Sequence, residues 1–248
     1  MLRQRAVHSG EAREPVKVDK LLNSMFAIAT SSLAYATAEP VVLATFDGSK
    51  TAHSWQVMND PVMGGQSHSS FAQEGGVGNF TGLCAIVPFL KAPGFCKIGT
   101  THGLLSPPGF ADVSAFIGGS LYITAKSSTP SYKGFKVDFG AKNVTRPRPG
   151  MHHGPPSFKA DFTLPASAAA DFATVKIPFS DFSVDWSDYT GECDTKDPTG
   201  EQHVCCSDAH PEVCPQAQHL ATIQSIEVWA EGVEGEFGLE IKSIAAGP

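Results

Sequence analysis

Charge is scarce in this chain. Asp, Glu, Lys and Arg supply 17% of its 248 residues. The bases never gather into a stripe. With Lys+Arg 18 against Asp+Glu 25 the net charge is -7, and a chain of that sign is a poor ligand for phosphate backbones, so nucleic acid is set aside as a partner. No long stretch repeats its apolar residues at helical spacing, which excludes a helical bundle. No internal repeat occurs. The motifs of common catalysts are missing as well: no Gly-x-Ser-x-Gly elbow, no Gly-x-x-x-x-Gly-Lys phosphate loop and no His-Glu-x-x-His. Gly75-Gly76-Val77-Gly78 lacks the strand-to-helix setting of a dinucleotide loop. The chain is therefore read as a non-enzyme, with no catalytic residue, cofactor or metal.

What is present points to β-structure. Gly 24 and Pro 18 suit short strands joined by turns. Apolar residues alternate with polar ones in Leu121-Tyr122-Ile123-Thr124-Ala125-Lys126, in Phe135-Lys136-Val137-Asp138-Phe139, in Phe158-Lys159-Ala160-Asp161-Phe162 and in Phe237-Gly238-Leu239-Glu240-Ile241. Ile226, Val228 and Ala230 continue the theme. Each run has one oily and one polar face, as in an antiparallel sheet packed on one side. Several such runs imply two antiparallel sheets face to face, an all-β sandwich or jelly roll. Two segments read as loops: Lys142 to Pro156, with four prolines and Met151-His152-His153, and Asp185 to Gln218, which holds four of the six cysteines.

The first 38 residues differ from the rest. A basic flank ending at Lys20, an apolar stretch and Ala36-Thr37-Ala38 read as a secretory signal peptide cleaved after Ala38, with residues 1–20 a possible gene-model extension. The apolar stretch is too short and too polar for a membrane span, so no transmembrane segment is expected in the mature chain. A single domain over 39–248, with a Cys-rich insert at 185–218, would then travel the secretory route. The alternative is a mitochondrial or plastid presequence, against which Glu11, Glu14 and Asp19 count.

Cys84, Cys96, Cys193, Cys205, Cys206 and Cys214 are even in number, as disulfide frameworks are. Cys84 and Cys96 can pair across neighbouring strands, and the other four can form two bridges within the insert. The competing reading takes Cys193, His203, Cys205, Cys206, His210 and Cys214 as zinc ligands, but it lacks a Cys-x-x-Cys pair. Asn79-Phe80-Thr81 and Asn143-Val144-Thr145 are glycosylation acceptors.

The stretch Trp55, Val57, Asn59-Asp60-Pro61-Val62-Met63-Gly64-Gly65-Gln66-Ser67 resembles the signature of the complex I intermediate-associated protein 30 family. Asn79-Phe80-Thr81-Gly82 with Cys84-Ala85-Ile86, Pro93-Gly94-Phe95-Cys96-Lys97-Ile98, Val175-Lys176-Ile177-Pro178-Phe179 with Phe182, and Gly235 to Ile241 resemble its later blocks, in order, over about 44–245. The resemblance implies a galactose-binding-like jelly roll, no catalytic residues and a protein-assembly or chaperone-like role in building NADH:ubiquinone oxidoreductase. The leader, the Cys-rich insert and the loop around His152 depart from the family pattern and favour a secreted module that binds glycans or protein surfaces. Within the motif, Trp55 and Val57 are expected to face the core, Asn59 and Asp60 to hold the turn, and Gly64 and Gly65 to permit it; Met63 and Ser67 complete the set. For a sugar ring, Tyr122, Tyr132, Trp186, Tyr189 and Trp229 are the candidate stacking residues. Lys126, Lys136, Asp138, Lys159 and Asp161 mark polar strand faces, read as a solvated surface or a shallow binding sheet.

Overall fold

The computed structural model describes residues 38–60, 65–87, 94–101, 109–147 and 155–248. The leader as far as Thr37, Met63, Gly64 and His152-His153 lie outside them. In chain order the strands are β1 (Val41–Thr45), β2 (Trp55–Asn59), β3 (His68–Glu74), β4 (Val77–Cys84), β5 (Phe95–Thr100), β6 (Ser120–Ser127), β7 (Phe135–Ala141), β8 (Ser157–Asp161), β9 (Ala173–Pro178), β10 (Ile223–Glu231) and β11 (Gly235–Gly247).

They form two antiparallel sheets, a jelly-roll-like β-sandwich. The first has the order β3-β4-β11-β6-β9, with β1 also paired to β11. The long β11 makes this possible: β4 takes Gly235 to Ile241, and β1 takes Ser243 to Ala246. The second sheet has the order β2-β5-β10-β7-β8.

The period of two decides the core. Leu121, Ile123 and Ala125 on β6 and Leu239 and Ile241 on β11 face Val137 and Phe139 on β7 and Ile226 and Val228 on β10, all essentially without exposure. Each buried large apolar side chain contributes about 1.5–3 kcal/mol of transfer free energy. Aromatic rings bridge the sheets: Phe237 on β11 lies 6.3 Å from Phe135 on β7 and 5.8 Å from Tyr132, while Phe139 on β7 lies 5.3 Å from both Phe158 and Phe182.

Three expectations are corrected here. Cys84 and Cys96 are not bridged; both are free, buried thiols. Cys84 ends β4 and Cys96 lies at the start of β5, in opposite sheets rather than on neighbouring strands of one, and each points at a carbonyl, Gly94 O at 3.0 Å and Leu83 O at 3.6 Å. Burial pushes the Cys96 thiol up to about 12, so it behaves as a small apolar group. Tyr132 is not available to stack on a sugar: it is buried, and its hydroxyl donates to Val233 O at 2.8 Å. Lys136, Asp138 and Lys159 point away from the core as the alternation requires, yet they are buried, not solvated.

The motif at the end of β2 is built as a turn clasp. The Asp60 carboxylate, itself buried, accepts from the Ser67 backbone N–H at 3.0 Å and the Ser67 hydroxyl at 3.1 Å. Ser67 Oγ in turn accepts from Ala85 N–H at 3.0 Å, and Asn59 Oδ1 accepts from Ser69 Oγ at 2.5 Å. A Cβ at Gly65 would lie 1.8 Å from Asp60 O, so the loop closes only over a glycine. Trp55 and Val57 pack against the core, Trp55 stacked on Phe46 at 5.3 Å.

Candidate functional site

The outer face of the second sheet is a grid of charges under a roof. Strand register sets two rows. One runs Met58, Lys97, Trp229, Lys136, Asp161, and the next runs Gln56, Gly99, Glu227, Asp138, Lys159. The Cys-rich segment covers their centre, where Trp229, Lys136, Asp138 and Lys159 are buried, while Gln56, Met58 and Asp161 at the edges stay exposed. Trp186 donates its indole N–H to Ser157 O at 3.0 Å. Glu192 and Asp161 hold the Lys136 ammonium. A Cβ at Gly191, whose φ is 71°, would meet Glu231 Oε2 at 2.1 Å, so the segment crosses the strand at glycine.

The charges pair beneath this roof. Lys159 meets Glu231 at 2.8 Å, with side-chain exposures of 1% and 4%. The same ammonium sits 3.7 Å from the ring centroids of both Trp186 and Trp229. Lys97 binds both oxygens of Glu227, at 2.8 and 3.0 Å, and lies 4.4 Å from the Trp229 ring. Indole faces thus serve as partial counter-charges where water is excluded. Burial acts to lower the Lys136 pKa, but Asp161 and Glu192 outweigh it and hold the group charged.

Beside the pairs lies a cleft of about 300 Å³, between Lys97, Arg146, Trp186, Glu227 and Trp229, with Asp138 in its wall. Asp138 is its distinctive group. One oxygen, Oδ2, accepts from Ser157 Oγ and Trp229 Nε1, each at 3.1 Å. The other, Oδ1, is buried without a partner. Burial, then the neighbouring Glu227 carboxylate, drive the Asp138 pKa well above the ordinary carboxylate value against Lys159 and Lys97. The shift favours the protonated carboxyl, a form that can donate as well as accept. The cleft therefore offers donors, acceptors and indole surface within one small space, as sites for polar organic ligands do.

The aromatic candidates divide. Trp186 and Trp229 come together, their rings 6.3 Å apart, but at 8% and 6% exposure they form cleft walls, not an open stacking platform. Tyr189 is partly buried in the roof, its N–H bonded to Ser187 Oγ at 2.9 Å. Tyr122 lies on the outer face of the first sheet, under Lys176, with its hydroxyl on Pro248 O. Lys97, Glu227, Glu231 and Arg146 are not singled out by the sequence; alternation with Ile98, Val228 and Ala230 is the available signal for the first three, and Arg146, in the loop after β7, has none. In the insert, Cys193 pairs with Cys205 and Cys206 with Cys214, which removes the thiolates from any zinc reading. Asn79 and Asn143 are both exposed, Asn143 at a positive φ of 59°.

The fold and this cleft describe an all-β module with a cleft suited to a ligand. The chain belongs to the family described as Complex I intermediate-associated protein 30, whose model matches residues 44–195, more than half of it. The match ends before β10 and β11, short of the expected closing block, although those strands are central to the two sheets. Among solved structures, the chain is similar to the family 11 carbohydrate-binding module of the cellulosomal cellulase Lic26A-Cel5E of Clostridium thermocellum, at 13% identity and a TM-score of 0.45, covering 86% of this chain and 97% of that one. It is also similar to the agarase AgWH50C, at 11% identity and a TM-score of 0.47, over 85% of this chain and 25% of that one. Curated proteins yield no match. Among the described residues no helix is long and apolar enough to cross a membrane.

Proposed function

We propose that this protein binds a glycan, with a sugar unit held in the cleft on the outer face of the second sheet. The observation that carries the reading is Asp138: it lines the cleft, and one oxygen of its buried carboxyl, Oδ1, has no partner. An unpaired buried polar atom costs about 1–3 kcal/mol, a cost that a ligand hydroxyl relieves. Glu227 accepts, Arg146 and Lys97 donate, and the indole walls suit the apolar face of a sugar ring. The Lys97 ammonium is already paired with Glu227, which leaves hydrogen bonding as the main attraction the cleft offers a polyhydroxylated ligand. The two disulfides of the insert support a secretory or extracellular location, because such bonds persist in oxidising compartments.

The test is calorimetry or affinity electrophoresis of the folded protein against neutral oligosaccharides. Asp138→Leu, with its fold checked by circular dichroism, is expected to weaken binding by about tenfold or more, the worth of one good buried hydrogen bond. Tyr122→Ala, on the opposite sheet, is expected to leave affinity unchanged. Equal affinities for wild type and Asp138→Leu would overturn the cleft assignment. Family membership favours a second reading, an assembly or chaperone-like partner of membrane-complex subunits. Indifference to all sugars, together with co-purification of such subunits, would establish that reading instead.

A further inference from the structure

The Cys-rich insert contains a hairpin that the glycan cleft does not use. Asp197 N–H donates to Glu201 O and His203 N–H to Thr195 O, each at 2.8 Å, and Lys196 bridges Gln202. Gly200, at φ 91°, turns the tip. The disulfide Cys193–Cys205 falls in the same register and closes the base. Side chains two apart on a strand share a face, and cross-strand partners share it too. Asp197, Glu201 and His203 are therefore brought to one side, and one ligand atom from each lies within 4.8 Å of the others.

Behind His203 stands a fourth group. Its Nδ1 is 2.9 Å from Asp185 Oδ1, and Asp185 is anchored by Val204 N–H on Oδ2 at 3.0 Å. That contact fixes the ring so that Nε2 faces Asp197 Oδ2, at 2.9 Å. His203, Asp185 and Asp197 are all buried. A carboxylate behind one imidazole nitrogen, with carboxylates in front of the other, is the arrangement that orients a histidine toward a metal. Imidazole with carboxylates suits zinc; calcium and magnesium take oxygen sets.

We propose that Asp197, Glu201 and His203 form a zinc-binding site, with Asp185 as the residue that positions the His203 ring. Zinc takes Nε2 in place of the proton that this nitrogen shares with Asp197, and the proton leaves to solvent; the disulfides are untouched. Bound zinc tethers the hairpin to Asp185, the neighbour of Trp186, and so braces the roof of the second sheet.

Titration of the chelator-treated, disulfide-intact protein with zinc chloride, followed by calorimetry, tests this. One zinc per chain is expected, with magnesium and calcium giving no heat. Glu201→Gln is expected to weaken binding by about tenfold or more, and Asp185→Asn by about 10–100-fold. In ring nitrogen NMR, zinc is expected to shift His203 Nε2 alone, a signature that a merely structural role of Asp185 does not produce. Replacing His152 and His153 together by alanine is expected to leave binding intact. No zinc binding, or binding lost with that pair but kept in Glu201→Gln, would overturn the site. Neither outcome depends on whether a glycan binds.

Discussion

The two outer faces of the sandwich carry the same kinds of residue and hold them under opposite conditions. On the first sheet Lys126 and Glu240 are cross-strand partners 3.7 Å apart, with side-chain exposures of 33% and 39%. On the second, Lys159 and Glu231 meet at 2.8 Å with exposures of 1% and 4%. Strand alternation points all four away from the core. What separates them is the Cys-rich segment, which removes water from the second face only. Exposed pairs are screened and worth little, whereas a buried ion stranded without its partner is costly. A face that carries such a cost and a cleft beside it is the natural place for a ligand.

The contrast can be broken from the largest expected effect downward. Lys159→Ala strands the Glu231 carboxylate and empties the space between two indoles, and a loss of about 3–5 kcal/mol in urea unfolding is expected; a loss below about 1 kcal/mol would mean that the face is solvated after all. Replacing Cys193 and Cys205 together by serine releases the hairpin, with an expected loss of about 3 kcal/mol. Faster amide exchange confined to 185–218 is the check. Gly191→Ala sets a side chain at φ 71° and 2.1 Å from Glu231 Oε2, with an expected cost of about 1–3 kcal/mol, read from the thermal midpoint.

Asp138 sharpens the comparison through pH. Its folded-state pKa is raised, so the folded protein keeps a proton that the unfolded chain gives up. Stability therefore falls as pH rises from the ordinary aspartate range through the raised value. Asp138→Asn is expected to flatten that slope in denaturant titrations at several pH values; an unchanged slope would show that Asp138 is ionised. The smallest effect belongs to the open face, where Lys126→Ala is expected to change stability by less than about 1 kcal/mol.

Much of the fold was legible in advance. Leu121-Ile123-Ala125 and Phe135-Val137-Phe139 announce strands because alternation needs no distant partner to be read. Asn59, Asp60 and Ser67 announce a turn because their side chains bond within a few residues of chain. The site was less legible. Trp186 and Trp229 are legible as candidate stacking residues, but the alternation alone does not separate an open platform from a ring packed beneath a loop, and it leaves Lys136, Asp138 and Lys159 on a solvated or shallow sheet. Cys84 and Cys96 can pair only if their strands are neighbours, and nothing local says that the two strands belong to opposite sheets.

The residues by themselves determined which side of each strand faces the core, where the turns fall and that the insert carries paired cysteines, because each follows from neighbours a few positions away. Tertiary structure alone decided which polar face stays wet. Lys159 and Lys126 occupy equivalent outward positions, and only the passage of Trp186, Gly191 and Glu192 over the second sheet turns one of them into a buried ion. Burial is a property of what the chain brings from afar, and it sets the strength of every charge it encloses.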